Sequence, residues 1–294
     1  MMNGIINIYK EKGFTSFDVV AKLRGILKTR KIGHTGTLDP DAEGVLPVCV
    51  GKATKICELL TDKTKEYEAV MLLGRTTDTQ DVTGETLTQQ EVRCSAKEVE
   101  KAVLSFAGDY MQVPPMYSAL KVDGRKLCDL ARAGVTVERA ARPVHIFSIE
   151  ILSIELPRVR MRVCCSKGTY IRTLCQDVGE VLGCGACMSS LRRTKAGMFT
   201  LGQAITIEQL LAFAKGNDPQ ALLMPVDALF AEFPPLIVEL GQAEKLRNGA
   251  QVKDWHFAPG TYRVYSITGE FLLLGKVENT VLTTIKSFFE VTKA

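Results

Sequence analysis

A glycine-rich stretch between residues 33 and 54 places one carboxylate, that of Asp39, directly before a proline. Pro40 disfavours helix at the residue before it, so Asp39 is expected in extended or turn backbone. Gly36 and Gly44 permit turns and allow a bulky ligand to come close. Two interpretations of Asp39 are open at this point. It caps a turn, as Asp before Pro often does, or it is a catalytic nucleophile or base.

Basic residues flank this loop, although the whole chain of 294 residues has a net charge of only +4. A carboxylate needed for chemistry on an anionic polymer would lie in such surroundings. The alternative explanation for the cations before the loop is a solvated helix face. The flanking cations are Lys22, Arg24, Lys28, Arg30, Lys31, Lys52 and Lys55.

Three further segments carry distinctive sequence. They are residues 65–68 (KEYE) running into 73–81 (LGRTTDTQD), residues 112–121 (QVPPMYSALK) and residues 165–174 (CSKGTYIRTL). Together with the Asp39 loop, and in the same order, these segments resemble the motifs of the pseudouridine synthase family that modifies uridine 55 in the T-arm of tRNA. The resemblance covers most of residues 1–200.

The resemblance implies chemical roles for three residues. Asp39 would be the nucleophile, and Arg172 the cation that pairs with it. Tyr67 would be the platform on which the flipped uracil stacks and the proton acceptor at C5. These residue types suit the tasks, because a nearby cation lowers the pKa that desolvation raises. Stacking of a base on an aromatic ring is worth about 1–3 kcal/mol.

The same resemblance implies a pocket around the target base. Tyr170 and Leu191 match residues that surround the uracil, and His34 matches a residue that occupies space in the T-loop once the base has flipped out. Without the motifs, Leu191 would be assigned to the core and His34 to a structural loop. The sequence departs from many family members at Cys128 and Cys187, neither of which is a catalytic position.

We expect neither a cofactor nor a bound metal. The isomerisation of uridine loses no electron and no group, so it requires no redox cofactor. Nine cysteines raise the possibility of zinc, but the pair Cys184-x-x-Cys187 has no second pair at a suitable spacing. Free thiols in a reducing cytosol explain these cysteines better.

The sequence predicts a cytoplasmic protein. No run is long and apolar enough to span a membrane, and residues 1–12 lack the apolar stretch of a signal peptide. As a stand-alone tRNA enzyme, the chain is expected to be a monomer with no obligatory protein partner.

Local patterns predict the elements that carry these motifs. Thr15 and Asp18 offer a capping box before a helix whose apolar stripe includes Phe17. Residues 158–165 alternate between basic and apolar, which predicts a strand with one apolar and one basic face. That basic face either contacts phosphates or is an ordinary exposed sheet face. The other predictions are strands over 4–9 and 67–73, an apolar segment over 45–50, and helices over 16–29, 96–106 and 170–182.

The region 112–145 is basic and interrupted by prolines and glycines. From composition alone it would be a solvated loop with a short helix around 125–133. The resemblance implies instead a mobile thumb that grips the T-loop.

A boundary is predicted at Phe233-Pro234-Pro235, after which short strand-like runs alternate with turn residues. The resemblance therefore implies an α+β fold of two domains. Residues 1–233 would form a catalytic domain with a mixed, mostly antiparallel sheet and flanking helices. Residues 234–294 would form a small β-rich, PUA-like RNA-binding domain.

The sequence also bears on three other functions. A zinc nucleobase deaminase needs His-x-Glu followed by Pro-Cys-x-x-Cys, and this signature is absent. A non-catalytic RNA-binding protein would not need Asp39, Tyr67 and Arg172 together. A guide-RNA-dependent relative shares the catalytic motifs, but the long basic tails are missing here. The favoured partner is the T-arm stem-loop of tRNA.

Overall fold

The structure is a computed structural model that describes residues 2–61, 63–253 and 257–289. Seven α-helices occur in these ranges, and they are supplemented by four short 3-10 segments. The helices are α1 (Ser16–Ile26), α2 (Cys57–Thr61), α3 (Ala96–Leu104), α4 (Leu127–Arg132), α5 (Ile171–Val181), α6 (Ile207–Ala214) and α7 (Leu240–Arg247). The 3-10 segments are Gly51–Ile56, Leu201–Gln203, Pro219–Leu222 and Val226–Phe230.

The strands fall into two principal sheets and two small hairpins. The strands are β1 (Gly4–Lys10), β2 (Ile32–His34), β3 (Glu43–Val50), β4 (Lys65–Leu73), β5 (Arg75–Thr77), β6 (Thr86–Gln89), β7 (Gly108–Gln112), β8 (Lys121–Val122), β9 (Arg125–Lys126), β10 (Arg142–Glu155), β11 (Arg158–Cys165), β12 (Ala186–Ala196), β13 (Phe199–Thr200), β14 (Pro235–Val238), β15 (Gly260–Ser266), β16 (Phe271–Glu278) and β17 (Val281–Ser287).

The larger sheet has nine strands in the order β1-β3-β12-β4-β11-β10-β7, with β2 added to β3 and β13 to β12. Every pairing in it is antiparallel except that between β12 and β3. The α+β architecture with a mixed, mostly antiparallel sheet is therefore confirmed. Because β12 lies between β3 and β4, a late strand of the chain joins two early ones.

Two hydrophobic clusters cover this sheet. On one face, α3 and α5 pack on β4 and β11 through residues such as Met71, Val103, Met161 and Leu174. Near β1 and β3, α1 and α6 bury a second cluster. The alternation predicted for β11 is confirmed, since Val159, Met161 and Val163 are fully buried while the arginines between them face the other way.

Helix α1 begins as predicted and ends earlier. Thr15 and Asp18 form the reciprocal capping box. The helix ends at Ile26 rather than at residue 29, and Lys28 has a φ of +47°, which is incompatible with continuing the helix. Phe17 is 64% exposed, so its assignment to the apolar stripe was wrong. Its place is taken by Val19, which is buried.

The predicted thumb region contains its own small structure. The β8–β9 hairpin and α4 enclose a cluster of Met116, Leu127 and Leu130. The ends of the region 112–145 belong to the large sheet, because β7 ends at Gln112 and β10 begins at Arg142.

The second principal sheet, β14-β15-β16-β17, lies wholly in the C-terminal part of the chain. The short strand-like runs predicted after residue 233 are present as β14 to β17, and α7, which the sequence reasoning missed, packs in the same core. This part is not independent of the rest. Phe271, Leu274 and Phe288 share one hydrophobic cluster with Ile5 and Val45. The boundary at residue 233 stays a prediction, and residues 290–294 lie outside the described ranges.

Candidate active site

The loop that carries Asp39 connects β2 to β3 and is fixed by buried hydrogen bonds to its main chain. Lys10 Nζ donates to the carbonyl oxygens of Pro40 (3.1 Å) and Ala42 (2.5 Å). The Ser16 hydroxyl accepts from the amide of Leu38 at 2.9 Å. Burial lowers the pKa of Lys10 to about 8. Because other groups fix the loop, the Asp39 side chain is available to a partner across the site.

That partner is Arg172, in the first turn of α5. Its Nε lies 3.0 Å from Asp39 Oδ2, and its Nη2 donates to Asp39 Oδ1 at 3.4 Å. The Arg172 side chain is only 5% exposed, whereas that of Asp39 is 37% exposed. The cation therefore supports the carboxylate from the protein side, and the other side of the carboxylate remains accessible to a ligand.

The pKa of Asp39 is raised above its ordinary value. Burial is the largest cause, the Arg172 charge opposes it, and the charge of Asp81 adds to it. Arg172 thus limits the rise without reversing it. Burial therefore makes the ionised form of Asp39 unfavourable in free energy, as expected of a reactive carboxylate.

Arg172 also joins segments that are distant in the sequence. Nη1 donates to the carbonyl oxygen of Thr79 at 2.9 Å, and Nη2 donates to that of Tyr117 at 2.8 Å. A second carboxylate, that of Asp81, lies 3.9 Å from Nε. Asp81 and Tyr117 both occur in the quoted motifs, but the sequence reasoning gave them no role at this site.

Tyr67 and Leu191 lie on adjacent strands, β4 and β12, and both belong to the cluster beneath the site. They remain 9% and 8% exposed. Burial raises the pKa of Tyr67, while the nearby Arg193 guanidinium lowers it. Leu38 and Ala42 of the Asp39 loop pack in the same cluster as Tyr67, which places Tyr67 beside the loop.

Tyr170 immediately precedes α5 and is held by Gln112. The Gln112 side chain accepts from the Tyr170 amide at 2.8 Å and donates to its carbonyl oxygen at 3.0 Å. Burial raises the pKa of the Tyr170 phenol, and the neighbouring Ser118 hydroxyl and Arg172 charge lower it. This paired contact connects the start of the predicted thumb to the helix that carries Arg172.

His34 ends β2, at the other side of the Asp39 loop. Its Nδ1 accepts a hydrogen bond from the Gly36 amide at 3.3 Å. Burial, together with the charge of Arg193, lowers the pKa of His34. The imidazole is therefore neutral at physiological pH.

The basic face of β11 is neutralised by acidic residues. Glu68 accepts from Arg160, Arg162 and Arg192 at 2.7–3.1 Å. Glu150 adds a contact to Arg162. Chiefly through the Arg192 hydrogen bond, this surrounding charge lowers the pKa of Glu68 to about 2. The pattern of β11 is thus that of a sheet face with internal ion pairs.

Across the part of the chain that the structure describes, no group of three or more His, Cys, Asp or Glu side chains could hold a metal ion. All nine cysteines are free. In the same ranges, no helix is long and apolar enough to cross a membrane.

Comparison with known protein families gives two adjacent matches. The model described as TruB family pseudouridylate synthase (N terminal domain) matches residues 24–171. That described as tRNA pseudouridylate synthase B C-terminal domain matches residues 172–231. The chain belongs to the TruB family. It is a pseudouridine synthase, and hence an isomerase, as the motifs predicted.

Curated TruB-family relatives match along most of the chain. The protein named tRNA pseudouridine synthase B of Lachnoclostridium phytofermentans is 55% identical, with 87% of this chain and 86% of that protein covered. The protein of the same name from Clostridium acetobutylicum is 45% identical, with 97% and 99% covered.

Solved structures show the same fold in larger assemblies. A chain of a Cbf5-Nop10-Gar1 complex superposes with a TM-score of 0.71 at 28% identity, covering 98% of this chain and 85% of that chain. A chain of an H/ACA RNP bound to a substrate RNA containing 2'-deoxyuridine gives a TM-score of 0.70 at 26% identity, covering 98% and 86%. The TruB-family fold therefore extends over nearly the whole chain.

Proposed function

We propose that this chain converts uridine 55 in the T-arm loop of tRNA to pseudouridine. The observation that carries the proposal is the pairing of a half-exposed carboxylate, Asp39, with a buried cation, Arg172, beside Tyr67. The curated relatives are named for a tRNA substrate, and this supports tRNA as the RNA that is modified.

The reaction breaks the C1′–N1 bond, turns the uracil and forms a C5–C1′ bond. The C5 proton leaves, and N1 takes up a proton, so atoms and electrons balance without any cofactor. Asp39 is the nucleophile, and attack at the sugar or at the base would use the same carboxylate. Arg172 holds this carboxylate ionised and directed by a forked contact that a lysine could not reproduce.

The target base must leave its stack to reach Asp39. Tyr67 receives the uracil on its ring and accepts the C5 proton, while Tyr170 and Leu191 shape the pocket around it. His34, which is neutral, fills the space that the flipped nucleotide leaves in the T-loop. A neutral side chain can enter the stack without the desolvation cost of a charge.

The region 112–145 acts as the thumb, and residues 234–294 act as a PUA-like module that binds RNA. Tyr117 connects the thumb to the chemistry, because its carbonyl oxygen accepts from Arg172. We infer that the protein works as a cytoplasmic monomer without an obligatory protein partner. The solved structures described above are chains of larger assemblies, so the test below is run without any other macromolecule.

The test uses the purified chain and an unmodified tRNA transcript with no other macromolecule. Pseudouridine is then mapped by chemical labelling and primer extension. Conversion confined to position 55 is expected, together with none in a transcript carrying cytidine there and none with Asp39→Asn. If conversion occurs only with a guide RNA or added protein, or at another position, the proposed specificity is wrong.

A further inference from the structure

A second buried arginine, Arg193, lies at the site with no role in the pairing of Asp39. It is 2% exposed and is directly opposite Tyr67 in the register of β12 and β4. Residues that face each other across antiparallel strands place their side chains on the same face of the sheet. Arg193 therefore lies beside Tyr67 on the same face of the sheet, within the core.

The surroundings of Arg193 are unusual for a buried cation. Nε donates to the carbonyl oxygen of Val45 at 2.7 Å, and Nη2 donates to that of Gly36 at 3.3 Å. Within the described ranges, no carboxylate oxygen lies within 4 Å of its nitrogens. A charge removed from water without a counter-ion is costly unless something compensates for it. The residue opposite Arg193 on β4 is Tyr67, which carries a titratable hydroxyl.

We propose that Arg193 is a positioning residue that directs the Tyr67 oxygen and stabilises its negative charge for removal of the C5 proton. This rests on the proposed function. In that step Tyr67 starts as the neutral phenol and passes its own proton to water as it takes up the C5 proton. The C5–H bond breaks, its proton passes to the Tyr67 oxygen, and the electron pair restores the uracil ring. N1 takes its proton from water.

The charges around Tyr67 are consistent with this role. From β12, the charge of the Arg193 guanidinium lowers the pKa of the phenol. From β11, Cys165 raises it, and from the β2–β3 loop, Asp39 raises it. Burial, the largest influence, also raises it. Arg193 is thus the one cation among these influences, and its guanidinium also donates to the main chain on both flanks of the Asp39 loop.

The test measures single turnover of a saturating T-arm stem-loop that carries either protium or deuterium at C5 of the target uridine. In wild type, the slower breaking and remaking of the glycosidic bond should hide most of the isotope effect on C5–H cleavage. Arg193→Gln should slow turnover by about 10²-fold, the scale of a general base contribution, and reveal a clear primary isotope effect. Arg193→Lys, which keeps the charge, should recover part of the rate.

The neighbouring Arg192 provides a matched control, because it is on the same strand but pairs with Glu68 on the opposite face. Arg192→Gln should leave the rate and the isotope effect as in wild type. In a Tyr67→Phe background, Arg193→Gln should cause little further loss, because the group it acts through is gone.

Two results would overturn the role of Arg193. One is a slower but folded Arg193→Gln or Arg193→Lys protein with no increase in the isotope effect. The other is a loss that persists in full in the Tyr67→Phe background, which would indicate support of the loop alone. If wild type leaves the T-arm uridine unchanged, the proposed function fails, and the Arg193 proposal falls with it.

Discussion

Arg172 Nε lies 3.0 Å from Asp39 Oδ2, although the two residues are 133 positions apart in the sequence. The arginine is buried and the carboxylate is accessible, so the pair has a protein side and a ligand side. The same guanidinium donates to the main chain at Thr79 and Tyr117. The contacts that fix the Arg172 guanidinium therefore also set the orientation of the Asp39 carboxylate.

Asp39→Asn should reduce single-turnover pseudouridine formation by more than about 10³-fold, because the amide preserves size but is not a nucleophile. Binding of tRNA should remain largely intact, which a filter-binding titration would check. Arg172→Lys should recover less than the full rate, because lysine lacks the planar fork. Substantial turnover by Asp39→Asn, with deamidation excluded by mass spectrometry, would contradict the mechanism.

The raised pKa of Asp39 predicts the acid side of the pH profile. Since the proposed mechanism uses the ionised form, the rate should begin to fall at a higher pH than for an ordinary aspartate. A carboxyl whose folded pKa is raised contributes stability below its unfolded pKa and loses it as the pH rises through the folded value. Asp39→Asn should therefore not lower the melting temperature at pH 7. A clear destabilisation there would show that the charge stabilises the fold.

Glu68 predicts the opposite linkage, because its pKa is lowered to about 2 from the ordinary 4.5. The Glu68 carboxylate stabilises the fold at pH values above its pKa in the unfolded chain. This contribution is lost as the pH falls through its pKa in the folded protein. Glu68→Gln should cost about 1 kcal/mol at pH 7, since its arginine partners are partly exposed and screened. Melting curves should converge with wild type as the pH falls from 4.5 to 2. Glu150→Gln, at a carboxylate that is 61% exposed, is the control and should cost less.

The shared hydrophobic cluster makes the C-terminal sheet part of the structural support of the larger sheet. The rings of Phe271 and Phe288 stack at 5.1 Å, and Phe230 packs on both. Phe271→Ala should cost about 2–3 kcal/mol and separate unfolding into two transitions by calorimetry. Ile237→Ala, at a site that is 65% exposed, should change little. A single unshifted transition in Phe271→Ala would show that this contact is dispensable.

We also expect turnover to survive thorough chelation, provided that the tRNA is kept folded by monovalent salt. The residue types at the site supply a nucleophile, a cation and an aromatic base without metal ligands. Elemental analysis alongside the assay would detect bound zinc. Stoichiometric zinc that is required for turnover would refute this expectation.

Local sequence patterns were sufficient to predict most of the helices and strands. The capping box of α1 and the alternation of β11 are both encoded within a few residues. Phe17 shows the limit of periodicity, because a helix of eleven residues has more apolar positions than its narrow contact with the sheet can bury. The predicted end of α1 lay too far along the chain, because the backbone strain at Lys28 is not visible in the sequence pattern.

The site was predictable only in part, for a physical reason. Asp39, Tyr67 and Arg172 were identified by motifs, but the buried contacts of Lys10 and Arg193 depend on strand register and loop position. In sequence these two residues resemble the solvated cations elsewhere in the chain. Likewise, the three arginines around Glu68 suggested a basic face until pairing between strands brought the acid among them.

The parallel pairing of β12 with β3 has a consequence for synthesis on the ribosome. Arg193 is opposite Gly44, and a Cβ on that glycine would lie 2.2 Å from the Arg193 oxygen, so the two strands close against each other without space for a side chain. Until β12 has emerged, β3 and β4 each present an open edge. A nascent chain that already displays Asp39 therefore has no competent site, and chains terminated before residue 196 should be inert and prone to associate.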